Sequence, residues 1–145
     1  MPAAPRKQQD RQVWRLPQGG RIDRSQPLDF KFNGRRYRGY SGDTLASALL
    51  ANGLRLIGRS FKFHRPRGIV GSGAEEPNAI VQLGHGAATE PNLRTTEVLL
   101  YDGLIASSVR GWPGLHFDLL AVNDRFHRLL AAGFYYKTFL WPGGL

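Results

Sequence analysis

The chain has 145 residues, a formal net charge of +9, a hydrophobic content of 41% and no cysteine. This length and hydrophobic content fit one domain with an extension and exclude a wholly disordered chain. The lack of cysteine excludes disulfides, thiolate nucleophiles and cysteine-ligated zinc or iron–sulfur sites. No apolar run approaches the roughly 18 residues that cross a bilayer, and we find no secretory signal, so a soluble cytoplasmic protein without membrane contact is expected.

The positive charge is concentrated in one half of the chain. Residues 1–68 hold 15 Lys or Arg and four acidic residues, whereas residues 69–145 hold five and seven. A basic half indicates a surface that faces an anionic partner, which could be nucleic acid, a phosphate-bearing cofactor or an acidic protein surface. An ordinary solvated face rich in arginine is the alternative.

The first predicted elements are an arm and a hairpin. Residues 1–24 are polar and interrupted by prolines, without a sustained period, which predicts a flexible basic arm. Two alternating runs follow, LDFKF at 28–32 and RRYRGY at 35–40, separated by Asn-Gly. Asn-Gly between such runs predicts a two-residue type I′ turn, which would place Phe30 opposite Tyr37.

A short helix is predicted next, near Thr44–Asn52. Ser41 or Asp43 can cap it, and Gly53 stands at the C′ position. Its apolar residues recur with helical spacing and form one face, made of Leu45, Ala48 and Leu49.

Two further strands are predicted after the helix, AIVQL at 79–83 and TEVLLYDGLIASS at 96–108, the second broken by Asp102-Gly103. We interpret 25–110, by analogy, as an α+β domain of the β-grasp type. Residues 111–145 predict a helix of three to four turns, capped by Asp118 and ended near Gly133. The tail that follows it, FYYKTFLW, is almost wholly apolar or aromatic, which is typical of an interface.

The candidate site is the basic loop SFKFHRPRG at 60–68, with four candidate interface or cofactor-proximal residues: Arg59, His64, Arg65 and Arg67. Three interpretations stay open: a loop packed into its own domain, a nucleic-acid surface, or contact with an anionic cofactor or acidic subunit. Guanidinium groups suit phosphate and carboxylate in a bidentate way. We predict no metal and no catalytic residue, because the histidines lack metal-ligand spacing and no nucleophile elbow or Walker motif occurs. The glycine-rich GIVGSG is followed by two glutamates rather than by an opening helix.

Several blocks carry a family resemblance by their order and spacing: GGRIDRSQPLDFKFNG, GYSGDTLASALLANG, GRSFKFHRPRGI, EEPNAIVQL, EPNLRTTEVLLYDGL and AGFYYKTFLWP. From about Arg15 to Pro142, they resemble the N-terminal region of the α subunit of heterotetrameric sarcosine oxidase. The resemblance implies a β-grasp domain similar to two-iron ferredoxins at 25–110. It also implies that 111–145 lead toward a dinucleotide-binding region. The whole enzyme would demethylate sarcosine oxidatively to glycine with FAD, FMN, NAD and tetrahydrofolate.

Two departures from the family pattern qualify this resemblance. Relatives of such domains keep cluster cysteines in the loop after the helix, where this chain has RSFKFHRPRG. The family subunit is also several times longer, which suggests a fragment, a truncated product or a split gene. We therefore expect a domain for structure and assembly that is inactive alone and binds no cofactor itself. Its partners would be the remainder of the α subunit and the other subunits, with no nucleic acid and no membrane. The alternatives are a small subunit of a related amine or imino-acid dehydrogenase, or a basic nucleic-acid-binding module.

Overall fold

The computed structural model describes residues 12–129, which form a five-stranded mixed sheet with a helix packed on it. In chain order the elements are β1 (Asp23–Phe32), β2 (Arg35–Ser41), α1 (Leu45–Ala51), β3 (Gly58–Arg59), β4 (Pro66–Arg67), β5 (Ile80–Leu83), β6 (Glu90–Arg94), β7 (Ile105–Ser108) and α2 (Val122–Arg125). Single 3₁₀ turns lie at Gly86–Ala88 and Leu119–Ala121. The strand order is β2-β1-β7-β5-β6, and β3 pairs with β4 in a separate ribbon.

The sheet has the predicted β-grasp arrangement. β1 and β7 run parallel in its centre, whereas β2, β5 and β6 join it by antiparallel pairing. One face of the sheet and the apolar face of α1 enclose the core, whose largest wholly buried apolar side chains are Phe30, Phe32, Leu45, Leu49, Ile57, Leu104 and Val81. The predicted α+β fold with a ferredoxin-like domain and a short helix after it is confirmed. No helix among residues 12–129 is long and apolar enough to cross a membrane.

The predicted hairpin is also confirmed. Asn33 and Gly34 have φ of 49° and 78°, as a type I′ turn requires at both central positions. Phe30 pairs with Tyr37 in the register, and their ring centroids are 5.8 Å apart. The Asn33 side chain adds a tertiary link, since its Oδ1 accepts from the backbone N–H of Ser108 at 2.9 Å. The turn therefore joins the hairpin to β7 as well as reversing the chain.

The helix is where the sequence predicts it, but its cap is a different residue. Thr44 is the N-cap of α1: its side chain accepts from the Ser47 N–H, and the Ser47 hydroxyl accepts from the Thr44 N–H. Ser41 and Asp43 are therefore not the cap. Gly53 has φ of 78° and follows the C-cap Asn52, as predicted.

The prediction of a strand is wrong for the first half of residues 96–108. Only Ile105–Ser108 is a strand, and Leu99 forms an isolated bridge with Thr44. The backbone of 95–100 instead bonds to the start of α1: the Thr95 carbonyl accepts from Ala46 at 2.9 Å and the Val98 carbonyl from Leu45 at 2.8 Å. These bonds satisfy N–H groups that a helix start leaves without partners.

The predicted C-terminal helix is shorter than expected. Asp118 is a cap as predicted, but it caps a 3₁₀ turn at Leu119–Ala121; α2 begins after this turn and ends at Arg125, before Gly133. The following turns use i to i−3 bonds, such as the Leu129 N–H to the Phe126 carbonyl at 2.9 Å. Helices in proteins depend on burial of an apolar face, and the apolar residues here are exposed. Gly133 and the apolar tail at 134–141 lie outside the described residues.

Candidate functional site

The basic loop is held in shape by its own backbone. β3 and β4 form a two-residue ribbon, closed by bonds from the Ile57 N–H to the Arg67 carbonyl at 2.9 Å and from the Ser60 N–H to the Arg65 carbonyl at 3.0 Å. His64 lies near the tip with φ of 53°, in the left-handed region that side chains other than glycine rarely adopt. Such a conformation persists only where surrounding interactions stabilise it.

A buried carboxylate from the C-terminal segment holds the loop. Asp118 Oδ2 accepts from His64 Nδ1 at 2.7 Å, and its Oδ1 accepts from the backbone N–H groups of Trp112 at 3.2 Å and Leu120 at 3.1 Å. The side chain of Asp118 is wholly buried, and that of His64 is 10% exposed. We call this arrangement the clasp: His64 and Asp118 with the two backbone donors.

Arg59 completes the surroundings of the clasp. Its Nε donates to the Leu115 carbonyl at 2.8 Å and its Nη1 to the His64 carbonyl at 2.8 Å. Nε also lies 3.5 Å from Asp118 Oδ2. Arg59 thus bonds to a main-chain oxygen in the loop, at His64, and to another in the C-terminal segment, at Leu115.

The electrostatics favour an ionised Asp118. Burial by itself raises the pKa of this carboxyl, but the bonds from His64, Trp112 and Leu120 and the charge of a protonated His64 together hold it below its usual value. The described residues include no hydroxyl bonded to the His64 ring, so the histidine–aspartate pair does not form a nucleophile triad. The pair is a structural contact that holds together two segments 54 residues apart in the chain.

The four predicted site residues do not form one cluster. Arg59 and His64 meet at Asp118, whereas Arg65 turns outward and its Nε donates to Asp124 Oδ1 at 2.6 Å. The Arg65 guanidinium also lies 4.9 Å from the centre of the Phe63 ring. Arg67 is exposed and, together with Arg59, lines a cleft beside the ribbon.

A second buried carboxylate, Asp43, anchors the segment before the sheet. Arg15 binds it through both terminal nitrogens, at 3.1 and 2.6 Å, and the Ser47 hydroxyl donates to it at 2.6 Å. The backbone N–H of Trp14 donates to the carbonyl of Ala51, the last residue of α1, at 3.4 Å. Residues of the predicted arm therefore contact the domain at Trp14 and Arg15. Residues 1–11 lie outside the described residues.

A third buried carboxylate, Glu76, organises the glycine-rich loop. Its Oε2 accepts from the N–H groups of Val70, at 2.7 Å, and Gly71, and its Oε1 accepts from Asn78 at 2.8 Å and Ala79 at 3.0 Å. Burial raises the pKa of Glu76, but the four backbone donors outweigh this and lower it. The loop that resembled a phosphate cradle thus surrounds a carboxylate of its own chain.

Sequence reasoning missed how these carboxylates are used. The two glutamates that stand shortly after the glycine-rich run were the available indication for Glu76, because glycine N–H groups can converge on an anion. Asp118 was identified as a helix cap, but its bond to His64 depends on tertiary structure. The sequence suggested that Asp43 caps the helix, whereas in the structure its carboxylate binds the Arg15 guanidinium.

The residues present do not fit an iron–sulfur cluster. Such clusters are held by cysteine thiolates, with histidine as an occasional replacement, and the chain contains no cysteine. Within residues 12–129, no three His, Asp or Glu side chains are grouped so that they could hold a metal ion. The loop that follows α1 carries the clasp instead of thiolates.

A family model described as a 2Fe-2S iron-sulfur cluster binding domain matches residues 25–111. The chain is 58% identical over 132 residues to sarcosine oxidase subunit alpha of Rhizobium meliloti (strain 1021), which covers 91% of this chain and 13% of that protein. Sarcosine oxidase subunit alpha of Corynebacterium sp. is 45% identical over 96 residues in strain U-96, with 64% of this chain and 10% of that protein covered. In strain P-1 the subunit is 40% identical over 105 residues, which cover 68% of this chain and 11% of that protein.

A solved structure, L-proline dehydrogenase from P. horikoshii, matches 64% of this chain and 17% of its own with 20% identity. Its TM-score of 0.46 is too low to assign a fold by itself. The chain spans only 10 to 13% of the length of the sarcosine oxidase subunits it matches. The predicted resemblance to those subunits is confirmed, and the chain belongs to the 2Fe-2S iron-sulfur cluster binding domain family, as a member without cysteine.

Proposed function

We propose that this chain is a non-catalytic domain of a sarcosine oxidase α subunit, in which the former cluster loop serves assembly. The clasp is the observation that carries the proposal. Its buried, charge-assisted bond between His64 and Asp118 fastens the basic loop to the segment 111–129, within which Asp118 also accepts from two backbone N–H groups. An electron-transfer domain would instead need cluster ligands in this region, and the chain has no cysteine.

The segment that the clasp holds presents an apolar surface. Large hydrophobic side chains are exposed along it: Trp112, Phe117, Leu119, Leu120, Val122, Phe126 and Leu129. Contiguous exposed apolar groups usually mark a contact with another protein surface. In this proposal they pack against the remainder of the α subunit or against another subunit, and the clasp fixes their position.

The proposed role assigns no cofactor to this chain. The FAD, FMN, NAD and tetrahydrofolate implied for the whole enzyme would bind to its other parts, and oxidation of sarcosine would occur there, in the cytoplasm. Two loop cations are already engaged within the chain, Arg59 on carbonyls and Arg65 on Asp124. Their engagement disfavours the alternative of a nucleic-acid-binding module.

A chimera tests the proposal. This chain would replace the matching segment of the R. meliloti subunit, and co-purification of the other sarcosine oxidase subunits would be measured. Leu120→Gln with Phe126→Gln should lower the recovered complex by about tenfold or more, because buried apolar contacts dominate interface energy. Val70→Gln, also at an exposed apolar residue but outside the segment, is the matched control and should assemble normally. Equal recovery for both variants would overturn the assembly role.

A further inference from the structure

A cleft beside the basic loop is lined by four arginines that come from four different parts of the chain. Arg59 and Arg67 belong to β3 and β4, Arg94 ends β6, and Arg110 follows β7. The cleft has a volume of about 380 Å³, and no Asp or Glu is among its described lining residues. Gly58 lies beside the other wall, since a Cβ at this position would be in ordinary van der Waals contact, at 3.8 Å, with the carbonyl oxygens of Asn78 and Ile80.

The four arginines differ in how far their charge is compensated. The Arg110 guanidinium lies 4.5 Å from the centre of the Phe61 ring, an uncharged partner that orients it without neutralising it. Arg59 bonds to two carbonyl oxygens, and its Nε also lies 3.5 Å from the buried Asp118 Oδ2, which compensates part of its charge. Arg94 has an ion pair with Glu97 at 3.1 Å, but both side chains are about half exposed, so this pair is weak.

Arg67 and Arg110 therefore supply most of the positive charge of the cleft, because Asp118 and Glu97 offset part of the charge of Arg59 and Arg94. Convergent cations with low-dielectric walls create a positive potential that attracts a polyvalent anion. The remaining polar lining supplies further hydrogen-bond donors, from Ser60, Asn78 and Asn92. The volume lies in the range of small-molecule pockets, and arginine forks match the oxygens of phosphate.

We propose that the arginine cleft binds the phosphate group of a small molecule, either an inorganic phosphate or a nucleotide. The cleft shares Arg59 with the surroundings of the clasp, but the proposed binding goes beyond the assembly role. It needs no cysteine and no metal. Arg67 and Arg110 would contact the anion from opposite walls, and Arg59 would fix the base of the cleft.

The test uses the whole chain and ¹H–¹⁵N spectra during titration with inorganic phosphate, pyrophosphate and ADP. Saturable shifts are expected at the amides of Gly58, Ser60 and Asn78, with at least one probe binding below about 1 mM. Tightest binding of pyrophosphate would identify an inorganic ligand, and tightest binding of ADP a nucleotide. The Asn33-Gly34 turn, which does not line the cleft, should not shift.

Paired variants decide whether the cleft is responsible. Arg67→Gln with Arg110→Gln should weaken binding by about tenfold or more, because each removes charge-assisted bonds. Arg21→Gln with Arg35→Gln changes the net charge equally at exposed arginines outside the cleft and should leave binding within about twofold. All four arginines are exposed, and retained dispersion of the hairpin amides would show that each variant folds.

Three outcomes would overturn the proposal. One is the absence of saturable shifts with all three probes. Another is equal weakening in both double variants, which would indicate a general charge effect. The third is binding of a poly-glutamate peptide at the cleft without binding of any phosphate, which would assign the surface to acidic protein. Failure of this site would leave the assembly role intact, because the co-purification test changes Leu120 and Phe126, which do not line the cleft.

Discussion

Removal of the Asp118 carboxylate should be among the most damaging single changes in the described domain. Asp118→Ala leaves three donors without an acceptor: the N–H groups of Trp112 and Leu120 and the Nδ1–H of His64. An unsatisfied buried donor costs about 1–3 kcal/mol, and water can reach part of this site, so we take the low end for each. The free energy of unfolding should fall by about 3 kcal/mol, in keeping with the roughly 3–5 kcal/mol found when one partner of a buried pair is removed.

The chain provides a matched control for this change. Asp124 comes from the same C-terminal segment and pairs with Arg65, the residue next to His64, but its side chain is 44% exposed. Exposed ion pairs contribute about 0–1 kcal/mol, so Asp124→Ala should be nearly silent. Asp118→Asn is an intermediate case, because its Oδ1 can still accept from Trp112 and Leu120, and a loss of about 1 kcal/mol is expected.

Urea unfolding followed by tryptophan fluorescence and far-UV circular dichroism measures these differences. The comparison requires similar m-values, since a change in m would mean a change in the native or denatured state. If Asp118→Ala lost no more stability than Asp124→Ala, the clasp would not fasten the loop, and the reasoning from burial and hydrogen bonding would be refuted.

Three further expectations follow from other parts of the chain. Glu76→Gln should lower the free energy of unfolding by about 2–4 kcal/mol, because an amide NH₂ faces two backbone donors that lose their acceptor. Since the folded pKa of Glu76 is depressed, its contribution is present above the unfolded pKa of about 4.3 and disappears as the pH falls through the folded pKa. The free energy of unfolding should therefore decrease less steeply at acid pH in Glu76→Gln than in the unmodified protein. An unchanged decrease would contradict the view that Glu76 is ionised and bonded in the folded state. Gly34→Ala should cost about 1–2 kcal/mol from positive φ alone, since a Cβ there meets nothing within 4 Å, and a thermal melt of wild-type stability would argue against the turn. Arg65→Ala with Arg67→Ala in the chimera should impair subunit assembly or flavin retention more than binding to nucleic acid, and normal assembly and flavin content would count against an interface role for the loop.

The features that could be predicted from the sequence are those set by near neighbours. The hairpin depends on Asn33-Gly34 and the flanking alternation, and α1 depends on helical spacing and Gly53, so both were predicted in place. β6 was missed because Pro91 and charged residues interrupt it, although it pairs with β5 at an edge, where proline is tolerated.

The candidate site was predicted only in part, because its bonds are long-range. The composition of the loop indicated that Arg59 and His64 matter, but their common partner lies more than 50 residues later in the chain. Arg65 and Arg67 differ in environment although they are two residues apart, since the ribbon turns one toward Asp124 and the other toward the cleft. Residue type and spacing do not encode this division. It depends on where β3 and β4 lie against β5, β6 and the C-terminal segment.

Sarcosine-dependent oxygen uptake tests the central claim most directly. Three samples would be compared, each with all implied cofactors supplied. They are this chain alone, the chimera assembled with the other subunits, and the R. meliloti enzyme from which the segment matching this chain has been deleted. Flavin chemistry requires a protein that positions the flavin against its substrate, and in the proposed role other parts of the enzyme do this. We therefore predict no uptake by the chain alone, normal uptake by the chimera, and loss of uptake by the enzyme from which the segment matching this chain has been removed. Turnover by the chain alone above a protein-free control, or full activity without the segment, would contradict the proposed role.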